Sequence, residues 1–471
     1  MLAHSVTVER LRSPEFWDEL LFREDGYGRW GRRKLAAFRQ LVDGGEVGET
    51  VEEYAAGRLA LGPPHRRLLN KADGRKKVVF TFAGADELLL KGLNRILQTS
   101  TAADHSRLCH SFQPGRGPRT AYRDIRRIRG LQRMHCLHLD VRDFFNSIPV
   151  EPLIASLPAT ITDDQPLYRL LAATFRDPRV LSGDEVIVDT HKGVMAGTPL
   201  APLLSNLYLR ALDDVFEQAG VPFLRYADDM VVFGTGQEVE QRGAEIEQRL
   251  AMLGLELNPR KTKLSAPGEP WEFLGLRYHA GSLDLAANSV AKLRRRVRRI
   301  ARRARGGQDP ARAAVRRLNR RLYGIGGRST DFTWASWFFP LLSVDITLHR
   351  LDRLIQEQLR FAVTGVHRRR NFKEVPYDSL RGVGYLPLIS AYRAYGRSPA
   401  EYEALLESST NKLQHGTREA ASWPYERMFC IIGQRTCVLS RPRSGCGGSA
   451  APSRRRLIAC CPNRLSARWS V

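Results

Sequence analysis

Three aspartates carry the chemistry this sequence can do. Asp228 and Asp229 are adjacent in Arg225-Tyr226-Ala227-Asp228-Asp229-Met230-Val231-Val232, inside an apolar run from Phe223 to Phe233. Carboxylates are costly within a buried strand and tolerable at its tip, so the run reads as two strands joined by a tight turn. Adjacent aspartates on a turn point in different directions, and a shared site needs a third carboxylate from elsewhere. Asp140 qualifies. It belongs to the alternating segment His135–Val141, with Leu137, Leu139 and Val141 on one face and His138 and Asp140 on the other. Carboxylates brought together repel, and one takes up a proton unless a cation offsets them. Two Mg²⁺ ions would do so, and a bridged pair of such ions makes a phosphoryl-transfer centre. Alone, Tyr-x-Asp-Asp reads as an exposed turn or an N-cap pair; Asp140 on a neighbouring strand is what favours catalysis.

The elements that must hold these residues are legible in outline. Residues 1–70 read as helical, with a glycine-rich break at 26–31. Val78–Phe82 reads as a strand, 86–98 as a helix, Ser111–Arg119 as a basic loop and Tyr122–Arg129 as a helix. One helix is expected over Pro202–Gln218 and another over Gln237–Gly254, followed by strands at Leu257–Leu264 and Trp271–Tyr278. Between Ala291 and Arg328, 15 Lys or Arg face a single acid, Asp309. Leu293, Val297, Ile300 and Ala304 share one helical face, as do Ala311, Val315, Leu318 and Leu322. Single-sign charge on the other faces favours tracking a phosphate backbone over mere solvation. More helices are expected to about 405, then a disordered basic tail.

Composition agrees. The 471 residues include 74 Lys+Arg against 50 Asp+Glu, a net charge of +24, with 43% hydrophobic residues. That excludes a mainly disordered chain and a small disulfide scaffold, and it calls for a polyanionic partner or an Arg-rich codon usage. Seven cysteines form no C-x-x-C pair, so no zinc ribbon is expected. The first 24 residues carry too many charges for a signal peptide, and no apolar run reaches the ~20 residues of a membrane span. A cytoplasmic protein with no membrane partner is expected.

From roughly Lys76 to Leu322 the sequence resembles the reverse transcriptase family, in its bacterial branch of group II intron and retron enzymes. Asp140 with Phe144-Phe145 resembles the first catalytic motif, Gly193–Leu209 the motif supporting the templating base pair, and Tyr226–Asp229 the catalytic turn. Leu255–Lys263 and Phe273-Leu274-Gly275 resemble the two motifs that follow, the second being the primer grip, and Ser111–Arg119 is similar to the fingers loop. The resemblance implies an α+β right-hand polymerase: a helical extension at 1–70, fingers at 71–134, a palm sheet at 135–280, an α-helical thumb at 281–405 and a tail at 406–471. It implies an RNA-directed DNA polymerase acting on an RNA template, a DNA or RNA primer and dNTPs, with two Mg²⁺ for which Mn²⁺ can substitute. Asp140, Asp228 and Asp229 would be the catalytic metal ligands, and Phe145 the gate against a 2′-hydroxyl. Lys76, Lys77, Arg119, Asp143 and Gly197 would bind the nucleotide and its triphosphate. Lys261 is a candidate proton donor to pyrophosphate, or a plain surface lysine. Arg294, Arg295, Arg298, Arg302, Arg316 and Arg320 would grip the duplex backbone.

Two positions depart from the pattern. Ala196 replaces the usual glutamine and Ala201 the usual serine of the template motif, which argues against a standard retron or group II enzyme and, by resemblance, for a divergent, phage-defence class. No endonuclease-like His and Cys cluster follows the thumb. The alternative is an RNA-binding maturase or splicing factor that keeps the polymerase shape with little or no catalysis.

Overall fold

The computed structural model describes residues 5–27, 30–70, 74, 76–190, 192–325 and 333–415. Its strands, in chain order, are β1 (His65–Asn70), β2 (Lys76–Thr81), β3 (His135–Asp140), β4 (Arg179–Ser182), β5 (Glu185–Val188), β6 (Phe223–Tyr226), β7 (Asp229–Gly234), β8 (Lys263–Ser265), β9 (Trp271–Phe273), β10 (Leu276–His279) and β11 (Ser282–Leu285). They form three sheets among many helices, an α+β fold. A central sheet has the order β6-β7-β3-β8, an outer sheet β2-β1-β4-β5 and a small meander β11-β10-β9.

The central sheet is antiparallel throughout. β3 pairs with β7 from His135↔Gly234 to Asp140↔Asp229, and β7 pairs with β6 up to Tyr226↔Asp229. Cys136, Leu139, Met230, Val231, Val232 and Phe233 are buried, so both faces of the sheet are covered. One cover is the Gly236–Met252 helix, which turns Val239, Ile246 and Leu250 inward. Its start is fixed by a capping box: Glu238 N–H donates to Thr235 Oγ1 (3.3 Å), while Thr235 N–H donates to Glu238 Oε2 (2.7 Å).

The N-terminal segment is helical over Val6–Arg12, Pro14–Tyr27, Arg32–Asp43 and Glu46–Ala55, as expected, but its last residues are β1, which pairs with β2 and β4. These helices belong to the same apolar core as the central sheet. The docking point is Gly92 on the Gly84–Ser100 helix, where a Cβ would meet the Trp17 ring at 2.8 Å and Leu11 at 3.0 Å. Trp17 Nε1 in turn donates to the Leu11 carbonyl (2.7 Å).

Three other expectations need correction. The helix expected over 202–218 is two, Ala201–Tyr208 and Arg210–Gln218, separated at Leu209. The strand expected over 271–278 is the β9–β10 hairpin, whose turn residues Leu274 (φ 49°) and Gly275 (φ 80°) are both left-handed. Of Leu257–Leu264 only the end pairs as β8, with an isolated bridge from Val141 to Leu257.

Beyond β11 the chain is helical: Ala287–Ala304, Pro310–Tyr323, Trp334–Phe338, Ile346–Thr364, Leu388–Arg397 and Pro399–His415 are its longer or better-placed members. Leu293, Val297 and Ala304, and Ala311, Val315, Leu318 and Leu322, are buried as their spacing requires, with Ile300 only partly so. The tail expected to be disordered from about Ser408 is helical through His415; its remainder, 416–471, lies outside the described residues. Among the described residues, no helix is long and apolar enough to cross a membrane.

Candidate active site

The strand register puts the three aspartates at one end of the central sheet. Asp140 lies directly opposite Asp229, and Asp228 occupies the two-residue turn with Ala227 between β6 and β7. Val141 N–H donates to the Asp228 carbonyl (3.2 Å), which locks the turn to the end of β3. The turn holds a left-handed non-glycine residue, Ala227, at φ 58°.

Asp140 is nearly fully buried, and burial raises its pKa, with Asp229 adding to the rise and Lys261 and Asn258 opposing it. Lys261 Nζ donates to Asp140 Oδ1 (2.5 Å) and Asn258 Nδ2 to Asp140 Oδ2 (3.2 Å), while Asn258 N–H donates to the Asp140 carbonyl (2.7 Å). Asp228 is pushed up to about 6 by burial and by the negative charges of Asp229 and Asp140. Burial depresses the Lys261 ammonium, but Asp140, Asp228 and Asp229 outweigh it and the net shift is upward. His138 Nε2 stands 3.4 Å from Asp229 Oδ1.

Among the described residues, no three His, Cys, Asp or Glu side chains converge as a ready-made metal site. The Lys261 ammonium instead stands against Asp140 as the local cation. The residues nevertheless fit divalent cations: three carboxylates, hard oxygen donors, share one end of a sheet, and the repulsion that adds to burial in lifting Asp228 is what a bound cation relieves.

A second group lies beside the first. Asp143 (φ 43°) opens the short turn that carries Phe145 and Asn146. Asn146 Nδ2 donates to the Val78 carbonyl of β2 (3.2 Å), and Asn146 Oδ1 accepts from Ala196 N–H (3.0 Å). Phe80 N–H donates to the Ala196 carbonyl (2.8 Å), and Gly197, at φ 102°, lies against β2, where a Cβ would come within 3.0 Å of the Phe80 carbonyl oxygen. β2, the Phe145 turn and the template-like motif are thus one unit. It sets Lys77 Nζ 5.8 Å from the centre of the Phe145 ring. Phe145 packs on Phe144 and faces Phe112, which in turn faces Tyr226.

Other expected residues stand further out. Lys76 is exposed at the start of β2, opposite Asn70. Arg119 is not drawn into this unit: it lies exposed on the Pro118–Arg126 helix and donates to the Ser336 carbonyl (3.1 Å). Phe273, Leu274 and Gly275 form the β9–β10 corner, where the Phe273 ring meets His138 edge-on at 6.2 Å. Arg294, Arg295, Arg298, Arg302, Arg316 and Arg320 are all exposed on their helices.

Below the Ala227–Asp228 turn is a polar layer that the sequence did not announce. Arg225 and Asp213 are fully buried and paired, Nε to Oδ1 at 2.8 Å and Nη2 to Oδ2 at 2.5 Å. Burial works against the guanidinium charge, but Asp213 more than restores it, and the pKa of Arg225 is raised. Ser111 and Asn206 complete the layer, and both are buried. Asn206 carries only the signal of a polar residue within an apolar run, and Ser111 none beyond its basic loop.

Residues 84–278 match the family described as Reverse transcriptase (RNA-dependent DNA polymerase). A relative, the "Uncharacterized 91 kDa protein in cob intron" of Schizosaccharomyces pombe, is 28% identical over 176 residues, 36% of this chain and 21% of its own length. The chain therefore spans about a fifth of that relative. Among solved structures, an apo telomerase from Candida tropicalis aligns at 11% identity and a TM-score of 0.42, covering 83% of this chain and 71% of its own. The same telomerase truncated from its C-terminal domain aligns at 12% identity and a TM-score of 0.38, covering 52% and 60%.

Proposed function

We propose, from the premise that residues 84–278 form a reverse transcriptase domain, that this chain is an RNA-directed DNA polymerase extending a primer 3′-hydroxyl with dNTPs on an RNA template. The observation that carries the reading is the register of the central sheet, with Asp140 opposite Asp229 and Asp228 in the adjoining turn. Asp140, Asp228 and Asp229 would hold a pair of Mg²⁺ ions, Mn²⁺ being able to substitute, and ions bound there supply positive charge to the attacking and leaving oxygens of an in-line phosphoryl transfer. Lys261, whose ammonium stands on Asp140, would give a proton to the departing pyrophosphate. Phe145 would fill the space a 2′-hydroxyl needs, with Lys76, Lys77, Asp143 and Gly197 around the triphosphate. The β9–β10 corner would steady the primer end, and the exposed arginines after β11 would follow the duplex phosphates. A retroelement or anti-phage defence setting, the latter suggested by Ala196 and Ala201, and a cytoplasmic location are part of the same proposal.

The test is primer extension on an RNA template with Mg²⁺. Incorporation of dNTPs in preference to NTPs is expected; a preference for NTPs, or no incorporation of either, refutes the reading.

A further inference from the structure

The residue that precedes Asp228 is held from below by both of its backbone polar groups. Ala227 N–H donates to Ser111 Oγ (2.8 Å), and the Ala227 carbonyl accepts from Arg225 Nη1 (3.3 Å). Ser111 Oγ donates to Asn206 Oδ1 (3.2 Å), Asn206 Nδ2 returns a bond to the Ser111 carbonyl (2.8 Å), and Arg225 Nη1 donates to Asn206 Oδ1 (3.2 Å). Arg225 Nη2 adds a bond to the Asn206 carbonyl (3.4 Å), and Asp213 fixes the guanidinium plane from the far side. The layer joins the loop before the Pro118–Arg126 helix, the two helices Ala201–Tyr208 and Arg210–Gln218, and strand β6. Strand pairing alone does not require it, since β6 and β7 are already joined in register. What it adds is an anchor at the one left-handed residue of the turn.

We infer that Ser111, Asn206, Arg225 and Asp213 form a positioning device that fixes the backbone of Ala227 and thereby the direction of the Asp228 carboxylate. The inference rests on the polymerase reading above. A buried ion pair is weak evidence for added stability, whereas a fixed hydrogen-bonded layer under a strained turn is a means of preorganisation. Ser111 is the member whose loss perturbs least, because its side chain carries no charge and the Arg225–Asp213 pair survives without it.

The test compares Ser111→Ala with Tyr54→Phe, which removes another buried hydroxyl far from the site, bonded to Thr7 (2.6 Å). Single-turnover dNTP addition gives rate and KM, titration with Mn²⁺ followed by electron paramagnetic resonance gives metal affinity, and thermal unfolding gives stability. Ser111→Ala is expected to slow addition by about 10- to 100-fold, the scale of a misplaced reacting group, with the KM for dNTP within about twofold of wild type. It is also expected to weaken Mn²⁺ binding by about tenfold, while Tyr54→Phe changes neither at a similar loss of melting temperature. If Ser111→Ala matches Tyr54→Phe in rate and Mn²⁺ affinity, the layer is only structural and the inference is overturned. A wild-type protein that adds no dNTP defeats the polymerase reading, and the Mn²⁺ comparison between the two variants still decides this one.

Discussion

Removing either partner of the Arg225–Asp213 pair should destabilise the protein, but only one of the two losses should depend on pH. Both side chains have no solvent exposure. Asp213→Asn leaves a guanidinium buried without its counter-charge, which costs about 3–5 kcal/mol in comparable cases. Arg225 would keep three neutral acceptors, Asn206 Oδ1, the Asn206 carbonyl and the Ala227 carbonyl, so the lower end, about 3 kcal/mol, is expected. An arginine does not deprotonate in this range, so that loss should be flat from pH 5 to pH 8. Arg225→Met instead strands the Asp213 carboxyl, whose pKa burial already raises and which Arg225 holds down. Without the arginine its folded pKa rises further above the unfolded value. The stability of its protonated form is fully present below the unfolded pKa and is lost as pH rises towards the folded one, at about 1.4 kcal/mol per unit. Arg225→Met should therefore lose clearly more stability at pH 8 than at pH 5. Urea midpoints read by tryptophan fluorescence, each relative to wild type at the same pH, measure both effects. Losses below about 1 kcal/mol in both variants, unaffected by pH, would mean that water reaches the pair and that the desolvation argument is wrong.

Replacing Asp140 or Asp228 by Asn should reduce primer extension by about 10³-fold or more while duplex binding, read by fluorescence anisotropy, stays near wild type; parallel loss of both would point to misfolding instead. Phe145→Ala should raise the kcat/KM for NTPs relative to dNTPs by about tenfold or more, checked by competitive incorporation, and an unchanged ratio would remove Phe145 from the sugar site. Replacing Arg298 and Arg302 by Ala together should lower the slope of log affinity against log salt by about 2, at most weakly dependent on sequence; an unchanged slope would place the nucleic acid elsewhere.

The parts of the site legible in the sequence are those with a local signature. Alternation marks β3, and the cost of charge in an apolar run marks the β6–β7 turn, so the sequence alone puts Asp140 on a strand beside the turn that carries Asp228 and Asp229. Helix faces after β11 were equally plain, because Leu293, Val297 and Leu318 obey a 3.6-residue period. What escaped depends on partners far along the chain. Ser111 read as part of a basic loop, yet it is buried because its bonds run to Ala227 and Asn206, 116 and 95 residues away. Arg225 stands in an apolar run with no mark of its own, and its burial is explained by Asp213, 12 residues earlier on a neighbouring helix. The turn at Leu274-Gly275 hid inside an apolar stretch, as did the break at Leu209 between two helices. His65–Asn70 became a strand through pairing with β2 and β4, which its own composition does not demand.

The place of β1 in the outer sheet bears on how this protein could be trimmed. The segment that matches the family starts at residue 84, after both β1 and β2. A chain cut back to that segment would leave β4 and β5 as an isolated ribbon and strip the Trp17 ring from the groove at Gly92. It would also take away the Phe80 amide that holds Ala196 and the Val78 carbonyl that holds Asn146. The backing of the proposed nucleotide site would go with them. A piece that keeps the proposed site is therefore larger than the piece that family likeness alone picks out, and β1 and β2 on the N-terminal side are part of it.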